Sequence, residues 1–153
     1  VYAVGDCNAK LMLAHTAYRE AEVAVNHMLG KDDEMSYDCI PSVIYTNPEV
    51  ASVGLTAAAA KDKGMNIKEV KVPMQLSGRY VAETLRGDGF AKIDYDLDSE
   101  RIVGINMVGN YASEIIYGAA MMLETKMPVE QIKKIVFPHP TVAEVLREGI
   151  FML

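Results

Sequence analysis

The order of its periodic segments is the feature that most constrains the fold of this chain. Between residues 41 and 108 apolar residues alternate with polar ones and Val and Ile are frequent, which predicts β-strands. After residue 110 the apolar spacing changes to three and four residues, which predicts helices. Strands followed by helices, without regular alternation of the two, are typical of an α+β domain. We therefore expect an antiparallel β-sheet flanked by helices.

The individual elements follow from the same patterns. Strands are predicted at residues 41–45, 50–53, 66–74, 89–95 and 101–108. Helices are predicted at residues 57–63, 111–125, 129–135 and 142–150. Thr56 should cap the Ala-rich helix, which ends at Gly64. The small residues and methionines of residues 118–122 allow close helix packing, either in the core or at a subunit interface.

Three aspartates near one predicted hairpin turn copy the start of a calcium-binding loop. Asp94, Asp96 and Asp98 occupy its first three ligand positions. Ser99 and Ile105 stand where the loop needs glycine and glutamate. We therefore predict a solvated hairpin turn at this position and no metal site.

The first 34 residues have a different pattern. Residues 1–4 predict the end of a buried strand, and residues 11–29 predict an amphipathic helix that ends at Gly30. The charged run at residues 31–34 predicts a linker, so we place a domain boundary there: residues 1–34 belong to one domain and residues 35–153 to another. The chain begins without Met or a basic leader segment, which predicts a cut inside a longer chain.

Charge and cysteine content exclude several function classes. The net charge is −6 and no cluster of Lys and Arg occurs, so we expect no nucleic-acid partner. No apolar run reaches the roughly 18 residues of a membrane span, so we expect no membrane partner. Cys7 and Cys39 form no disulfide framework or redox motif, which favours a reducing compartment and predicts a cytoplasmic location.

One stretch suggests acid–base chemistry. His139 lies between Pro138 and Pro140, which restrict the backbone and hold the imidazole on a preset turn. In one interpretation Thr141 and Glu144 form a capping box for the following helix and His139 is only a turn residue. In the other, His139 is a general base and Glu144 orients it. The two interpretations compete for one carboxylate, although its two oxygens could serve both.

A second stretch suggests the edge of a cofactor site. Gly5 allows a close approach to the backbone, and Asp6 could accept a hydrogen bond from a sugar-like hydroxyl. The start of the next helix could face an electron-rich ring through its dipole. The chain has no G-x-G-x-x-G segment, so it contains no intact dinucleotide-binding fold.

Four segments carry a resemblance to a known family. They are Gly5-Asp6, Met12-Leu13-Ala14-His15, residues 41–54 with the sequence PSVIYTNPEVASVG, and residues 139–144 with the sequence HPTVAE. In this order and at these intervals they resemble the C-terminal part of the dihydrolipoamide dehydrogenases, which are flavin-dependent pyridine nucleotide-disulfide oxidoreductases. The resemblance covers essentially the whole chain.

The resemblance implies roles for individual residues. Asp6 would hold the ribityl chain of FAD, and Met12, Leu13, Ala14 and His15 would lie against the flavin. Residues 35–153 would form an interface domain that pairs two subunits. His139 would serve as acid/base in the partner's active site, with Glu144 orienting it and with a cis bond between His139 and Pro140.

The resemblance also implies an activity for a longer parent enzyme. That homodimeric parent would oxidise dihydrolipoyl groups with NAD⁺ through FAD and a cysteine pair, and Cys7 and Cys39 do not match that pair. Its partner would be the lipoyl domain of a 2-oxoacid dehydrogenase or glycine-cleavage type complex. The isolated piece should be inactive and bind no FAD or NAD. The alternatives are the interface domain of a glutathione- or mercuric-reductase-like enzyme, and a non-catalytic dimerisation module.

Overall fold

The computed structural model describes all residues 1–153, which divide into two compact units, Val1–Ile40 and Pro41–Leu153. All five strands belong to the second unit: β1 Ser42–Ile44, β2 Val50–Gly54, β3 Ile67–Pro73, β4 Phe90–Asp96 and β5 Arg101–Val108. The helices are α1 Ala14–Met28, α2 Ala57–Asp62, α3 Gly78–Glu83, α4 Ala112–Glu124, α5 Val129–Ile132 and α6 Glu144–Phe151.

The strands form one antiparallel sheet in the order β1-β2-β5-β4-β3. Every predicted strand in this unit is present, and the predicted α+β class with an antiparallel sheet is confirmed. Thr56 caps α2 as predicted, since its hydroxyl oxygen accepts a hydrogen bond from the Ala59 N–H at 3.2 Å. Helix α3 was not predicted, because its six residues are too short to show a period.

One face of the sheet carries the core of the second unit. Ile93 of β4 pairs with Ile105 of β5, and both are fully buried. Helices α4 and α6 pack on this face. Gly149 of α6 permits the close approach, since a Cβ there would meet Ile93 Cδ1 at 2.5 Å and Val72 Cγ2 at 2.8 Å. The core therefore positions α6 against the sheet, and the loop before α6 is attached to a packed helix.

The other face of the sheet is more polar. The burial of two aspartates in β4 shows that the predicted solvated hairpin turn is wrong. Asp94 and Asp96 do not form a solvated turn: both are buried residues of β4. The register shifts between Asp94 and Tyr95, so the strict alternation of inward and outward side chains breaks at this point. No group of three His, Cys, Asp or Glu side chains that could hold a metal ion occurs in the structure.

The first unit is built around the helix α1. A 3-10 helix, Gly5–Asn8, precedes it, and Gly5 has a φ of +73°, where a Cβ would lie 3.3 Å from Ala17 Cβ. The predicted strand end at residues 1–4 is wrong, because these residues are exposed and have no strand beside them to supply hydrogen bonds. No helix in either unit has the length and apolarity that crossing a bilayer requires.

Candidate functional site

The proline-flanked histidine lies on the loop that enters α6. The His139–Pro140 peptide bond is cis, as the family resemblance implied. The His139 side chain is 79% exposed, whereas the side chain of Glu144 is only 18% exposed. The loop therefore presents an imidazole to the outside and keeps the neighbouring carboxylate beneath it.

The Glu144 carboxylate divides its two oxygens between two partners. Oε1 lies 2.9 Å from His139 Nδ1, and Oε2 accepts a hydrogen bond from the Thr141 backbone N–H at 2.9 Å. The Thr141 hydroxyl donates to the Pro138 carbonyl at 2.8 Å, so only the glutamate half of the capping box is present. The capping and orienting interpretations are thus compatible, because each uses a different oxygen.

The surroundings of Glu144 keep its carboxylate ionised. The Thr141 N–H, and after it the His139 ring, hold the pKa of the Glu144 carboxyl below its ordinary value of 4.5. A carboxylate can only accept a hydrogen bond, so a neutral His139 ring carries its proton on Nδ1. The lone pair is then on Nε2, for which the structure records no hydrogen bond. This arrangement can accept a proton at Nε2 while Glu144 stabilises the imidazolium that results.

The loop is anchored from below by a residue that sequence reasoning missed. Buried Ser77 donates its hydroxyl hydrogen to the Thr141 carbonyl at 2.9 Å and accepts from the Tyr80 N–H at 3.1 Å. It thereby caps α3 and ties that helix to the histidine loop, 64 residues away. The S-x-x segment before a short helix is a weak sequence signal for the cap, and no local signal could reveal the contact with Thr141.

The second unit holds an acid–base pair but no thiol. The two cysteines of the chain, Cys7 and Cys39, both lie in the first unit. A cavity of about 450 Å³ is lined by the adjoining residues Pro140, Thr141 and Val142, but His139 is not part of its lining. Residues 41–153 therefore hold an exposed imidazole at His139 but no cysteine thiol.

The predicted cofactor residues all belong to the first unit. Asp6 lies in the 3-10 helix, and Met12, Leu13, Ala14 and His15 lead into the first turn of α1. Leu13 is the N-cap residue of α1, and its side chain makes no capping hydrogen bond. The two sets of predicted site residues, the acid–base pair and the cofactor edge, are thus carried by different units.

Glu20 of α1 fixes the turn that carries Asp6, and sequence reasoning missed it. Its carboxylate accepts hydrogen bonds from the Gly5 N–H at 2.5 Å, the Asn8 amide at 2.7 Å and the Tyr37 hydroxyl at 2.7 Å. The Gly5 N–H, and after it Asn8 and Tyr37, hold the pKa of Glu20 below its ordinary value. The Asp6 carboxylate is exposed and is free to accept a hydrogen bond from a ligand hydroxyl.

Curated relatives match nearly the whole chain. A dihydrolipoyl dehydrogenase of Chlamydia muridarum is 37% identical over 152 residues, which cover 99% of this chain and 32% of the relative. The mitochondrial dihydrolipoyl dehydrogenase of Sus scrofa is 38% identical over 149 residues, which cover 97% of this chain and 29% of the relative. This chain spans about a third of the length of the curated relatives it matches.

Solved structures agree with the fold. The crystal structure of LpdA from Mycobacterium tuberculosis superposes with a TM-score of 0.91 at 24% identity, over 99% of this chain and 33% of that chain. RclA, an HOCl-induced flavoprotein disulfide reductase from Escherichia coli, gives a TM-score of 0.89 at 20% identity, over 99% of this chain and 35% of that chain. Residues 40–150 match the family model of the pyridine nucleotide-disulphide oxidoreductase dimerisation domain, and this chain belongs to that family.

Proposed function

We propose that this chain is the C-terminal part of a dihydrolipoyl dehydrogenase and supplies the general base of its dithiol chemistry. The names of the curated relatives and the His139–Glu144 pair support this assignment. The observation that carries it is an exposed imidazole, oriented by an ionised carboxylate, in a unit without a thiol. Such a base can act on a sulfur only when a part of the enzyme outside this unit brings the sulfur to it.

The proposed reaction oxidises a dihydrolipoyl dithiol to the lipoyl disulfide and reduces NAD⁺ to NADH with release of one proton. A thiol of ordinary pKa, about 8.5, is mostly protonated at neutral pH and is a poor nucleophile. His139 Nε2 accepts that proton, and the thiolate attacks the enzyme's disulfide. Glu144 stabilises the imidazolium through Nδ1. A positioned base of this kind contributes about 10²–10⁴ to the rate.

The first unit would supply one edge of the FAD site in that parent enzyme. Its exposed Asp6 carboxylate suits a hydroxyl of the ribityl chain, and the positive end of the α1 dipole suits an electron-rich ring beside Met12, Leu13, Ala14 and His15. FAD would carry electrons from the dithiol to NAD⁺. Because one edge gives few contacts, we expect the 153-residue chain alone to bind neither FAD nor NAD.

The proposal includes a homodimer in which each subunit lends its histidine to the other. Helix α4 supports this, because Tyr117 and Met121 lie one turn apart on the same helix face and are 67% and 53% exposed. The match of residues 40–150 to the dimerisation-domain family supports the homodimer further. We further propose that the parent is cytoplasmic and acts on the lipoyl domain of a 2-oxoacid dehydrogenase or glycine-cleavage type complex.

The change His139→Gln tests the catalytic role. In the full-length enzyme that contains this chain, we expect a rate loss of about 10²–10⁴ with lipoamide substrates. The dimer and its free energy of unfolding should stay the same within about 0.5 kcal/mol, because the replaced ring is exposed. Sedimentation measures the fraction of dimer, and urea unfolding measures the free energy of unfolding. A variant that keeps full activity would refute the acid–base role, and one that loses the dimer with its activity would favour the non-catalytic dimerisation module.

Substrate choice separates the remaining alternative. A glutathione- or mercuric-reductase-like parent would reduce glutathione disulfide or mercuric ion and would show no activity with dihydrolipoamide. Assays of the full-length enzyme with dihydrolipoamide, glutathione disulfide and mercuric ion under the same conditions identify the class. A preference for glutathione disulfide or mercuric ion would overturn the dihydrolipoyl assignment.

A further inference from the structure

The hydroxyl group of Ser77 makes a hydrogen bond that helix capping does not require. A cap needs only the oxygen as an acceptor, and Ser77 uses its oxygen for the Tyr80 N–H at the start of α3. The hydroxyl hydrogen is donated in another direction, to the Thr141 carbonyl at 2.9 Å. Thr56 caps α2 through its oxygen in the same way and has no hydrogen bond to the histidine loop. The bond from Ser77 to Thr141 is therefore separate from the cap.

The segment that carries Ser77 gives this hydroxyl a fixed position. Ser77 and its neighbours Met74 and Tyr80 are all buried. The Ser77 N–H donates to the Met74 carbonyl at 3.0 Å. The Met74 N–H in turn donates to the Gly89 carbonyl at 2.9 Å, beside the end of the β3–β4 pair. The hydroxyl is thus held in place relative to the sheet.

Thr141 is held by hydrogen bonds at three of its atoms. Its carbonyl accepts from Ser77, and its hydroxyl donates to the Pro138 carbonyl at 2.8 Å, on the other side of His139. Its N–H donates to Glu144 Oε2 at 2.9 Å and is the main cause of the lowered pKa of that carboxyl. A displacement of Thr141 would therefore also displace the carboxylate that orients the imidazole.

We propose that Ser77 is a positioning residue for the general base, a role that rests on the function proposed above. Its hydroxyl holds Thr141, and Thr141 holds the Glu144 carboxylate. The carboxylate keeps the proton of the neutral His139 ring on Nδ1, so that Nε2 has the lone pair that accepts the dithiol proton. Without the Ser77 bond the carboxylate moves more freely. Part of the His139 rings then carry their proton on Nε2, where they cannot accept another.

The first test measures the tautomer of His139 in the ¹⁵N-labelled chain by NMR. At about pH 8.5, where imidazole rings are neutral, the ¹⁵N shifts of the ring nitrogens report which one carries the proton. We expect mainly Nδ1–H in the unaltered chain and a shift toward Nε2–H in Ser77→Val, which lacks the hydroxyl. Ser77→Thr has the shape of the valine variant but keeps the hydroxyl, so it should resemble the unaltered chain. The spectrum of His139→Gln identifies the signals of this ring.

The second test measures the oxidation of dihydrolipoamide by the full-length enzyme that contains this chain. We expect kcat to fall about tenfold in Ser77→Val with KM changed by less than about twofold, because the orientation of the base is lost and substrate binding is not. Ser77→Thr should keep kcat within about twofold. Thr56→Ala removes the cap of the other six-residue helix, α2, and should leave kcat unchanged, so it controls for the loss of a cap.

Three results would overturn the positioning role. They are an unchanged tautomer ratio in Ser77→Val, equal losses of kcat in Ser77→Val and Thr56→Ala, and full kcat in Ser77→Val beside a large loss in His139→Gln. The tautomer is measured without substrate, so its result is separate from the acid–base role itself, which fails if His139→Gln keeps full activity. Ser77→Ala adds no bulk and gives the same comparison if Ser77→Val does not fold.

Discussion

Replacing Asp94 by Asn should make the second unit more stable at neutral pH. Burial of the carboxyl, and after it the charge of Glu69, raises the pKa of Asp94 from 3.8 to about 6. The folded chain therefore holds a proton that the unfolded chain has lost between these two pH values, and the free energy of unfolding falls as the pH rises through that window. At 1.36 kcal/mol for each pH unit the loss is about 3 kcal/mol above pH 6.

Asparagine fills the same space and does not ionise, so the variant escapes this loss. The difference in unfolding free energy between Asp94→Asn and the unaltered chain should be small near pH 4 and approach about 3 kcal/mol at pH 7.5. Urea unfolding at several pH values, followed by a signal from the sheet, measures it. Acids such as Glu144, whose pKa is lowered, give the opposite pH dependence of stability. Their contribution is the same in both proteins and cancels when one unfolding free energy is subtracted from the other.

Asp98→Asn is the matched control, because it removes the same charge from an exposed turn. We expect its difference from the unaltered chain to stay within about 0.5 kcal/mol across the same pH range. A stability difference for Asp94→Asn that does not change with pH would refute the assignment of a raised pKa to this residue.

Three further variants test the loop and the core. Ser77→Ala removes the α3 cap and the bond to the Thr141 carbonyl, so we expect a loss of about 1–2 kcal/mol in urea unfolding. Gly149→Ala forces a methyl group against Ile93, which should cost about 1–3 kcal/mol in the same assay. Glu144→Gln removes stability that the ionised carboxylate provides above its unfolded pKa, so its deficit should shrink as the pH falls below about 4.5, which pH-dependent unfolding measures.

The sequence predicted the sheet and the longer helices because their periodicity is local. The pattern of residues 101–108 shows which side chains of β5 face the core, and Ile105 and Met107 are buried there. It did not predict the burial of Asp94, because three charged residues close to a turn have the same pattern whether or not a helix covers them. Helix α2 lies over this end of the sheet, and its position is not encoded within the hairpin itself.

The acid–base pair could be predicted as a pair of residue types but not as a geometry. Two prolines around His139 and a glutamate five residues later are visible in the sequence. The division of the Glu144 oxygens depends on the path of the loop between Pro138 and the start of α6, and Ser77 fixes that path from a distant part of the chain. A residue such as Ser77 acts through folding, so its role has no signal near the histidine.

The contrast between His139 and Glu144 argues for a base that acts on a reactant from outside its own unit. A histidine with only a structural role gains most when its ring is packed or bonded at both nitrogens, yet this ring is 79% exposed and bonded at Nδ1 alone. The neighbouring carboxylate is held much more firmly than the ring. Glu144 is largely covered, is ionised and accepts a hydrogen bond from the Thr141 N–H. The firmly held carboxylate orients a ring that has few other contacts in its own unit. This arrangement is useful if Nε2 of that ring meets its reactant across an interface. The family of dimerisation domains to which the chain belongs provides such an interface.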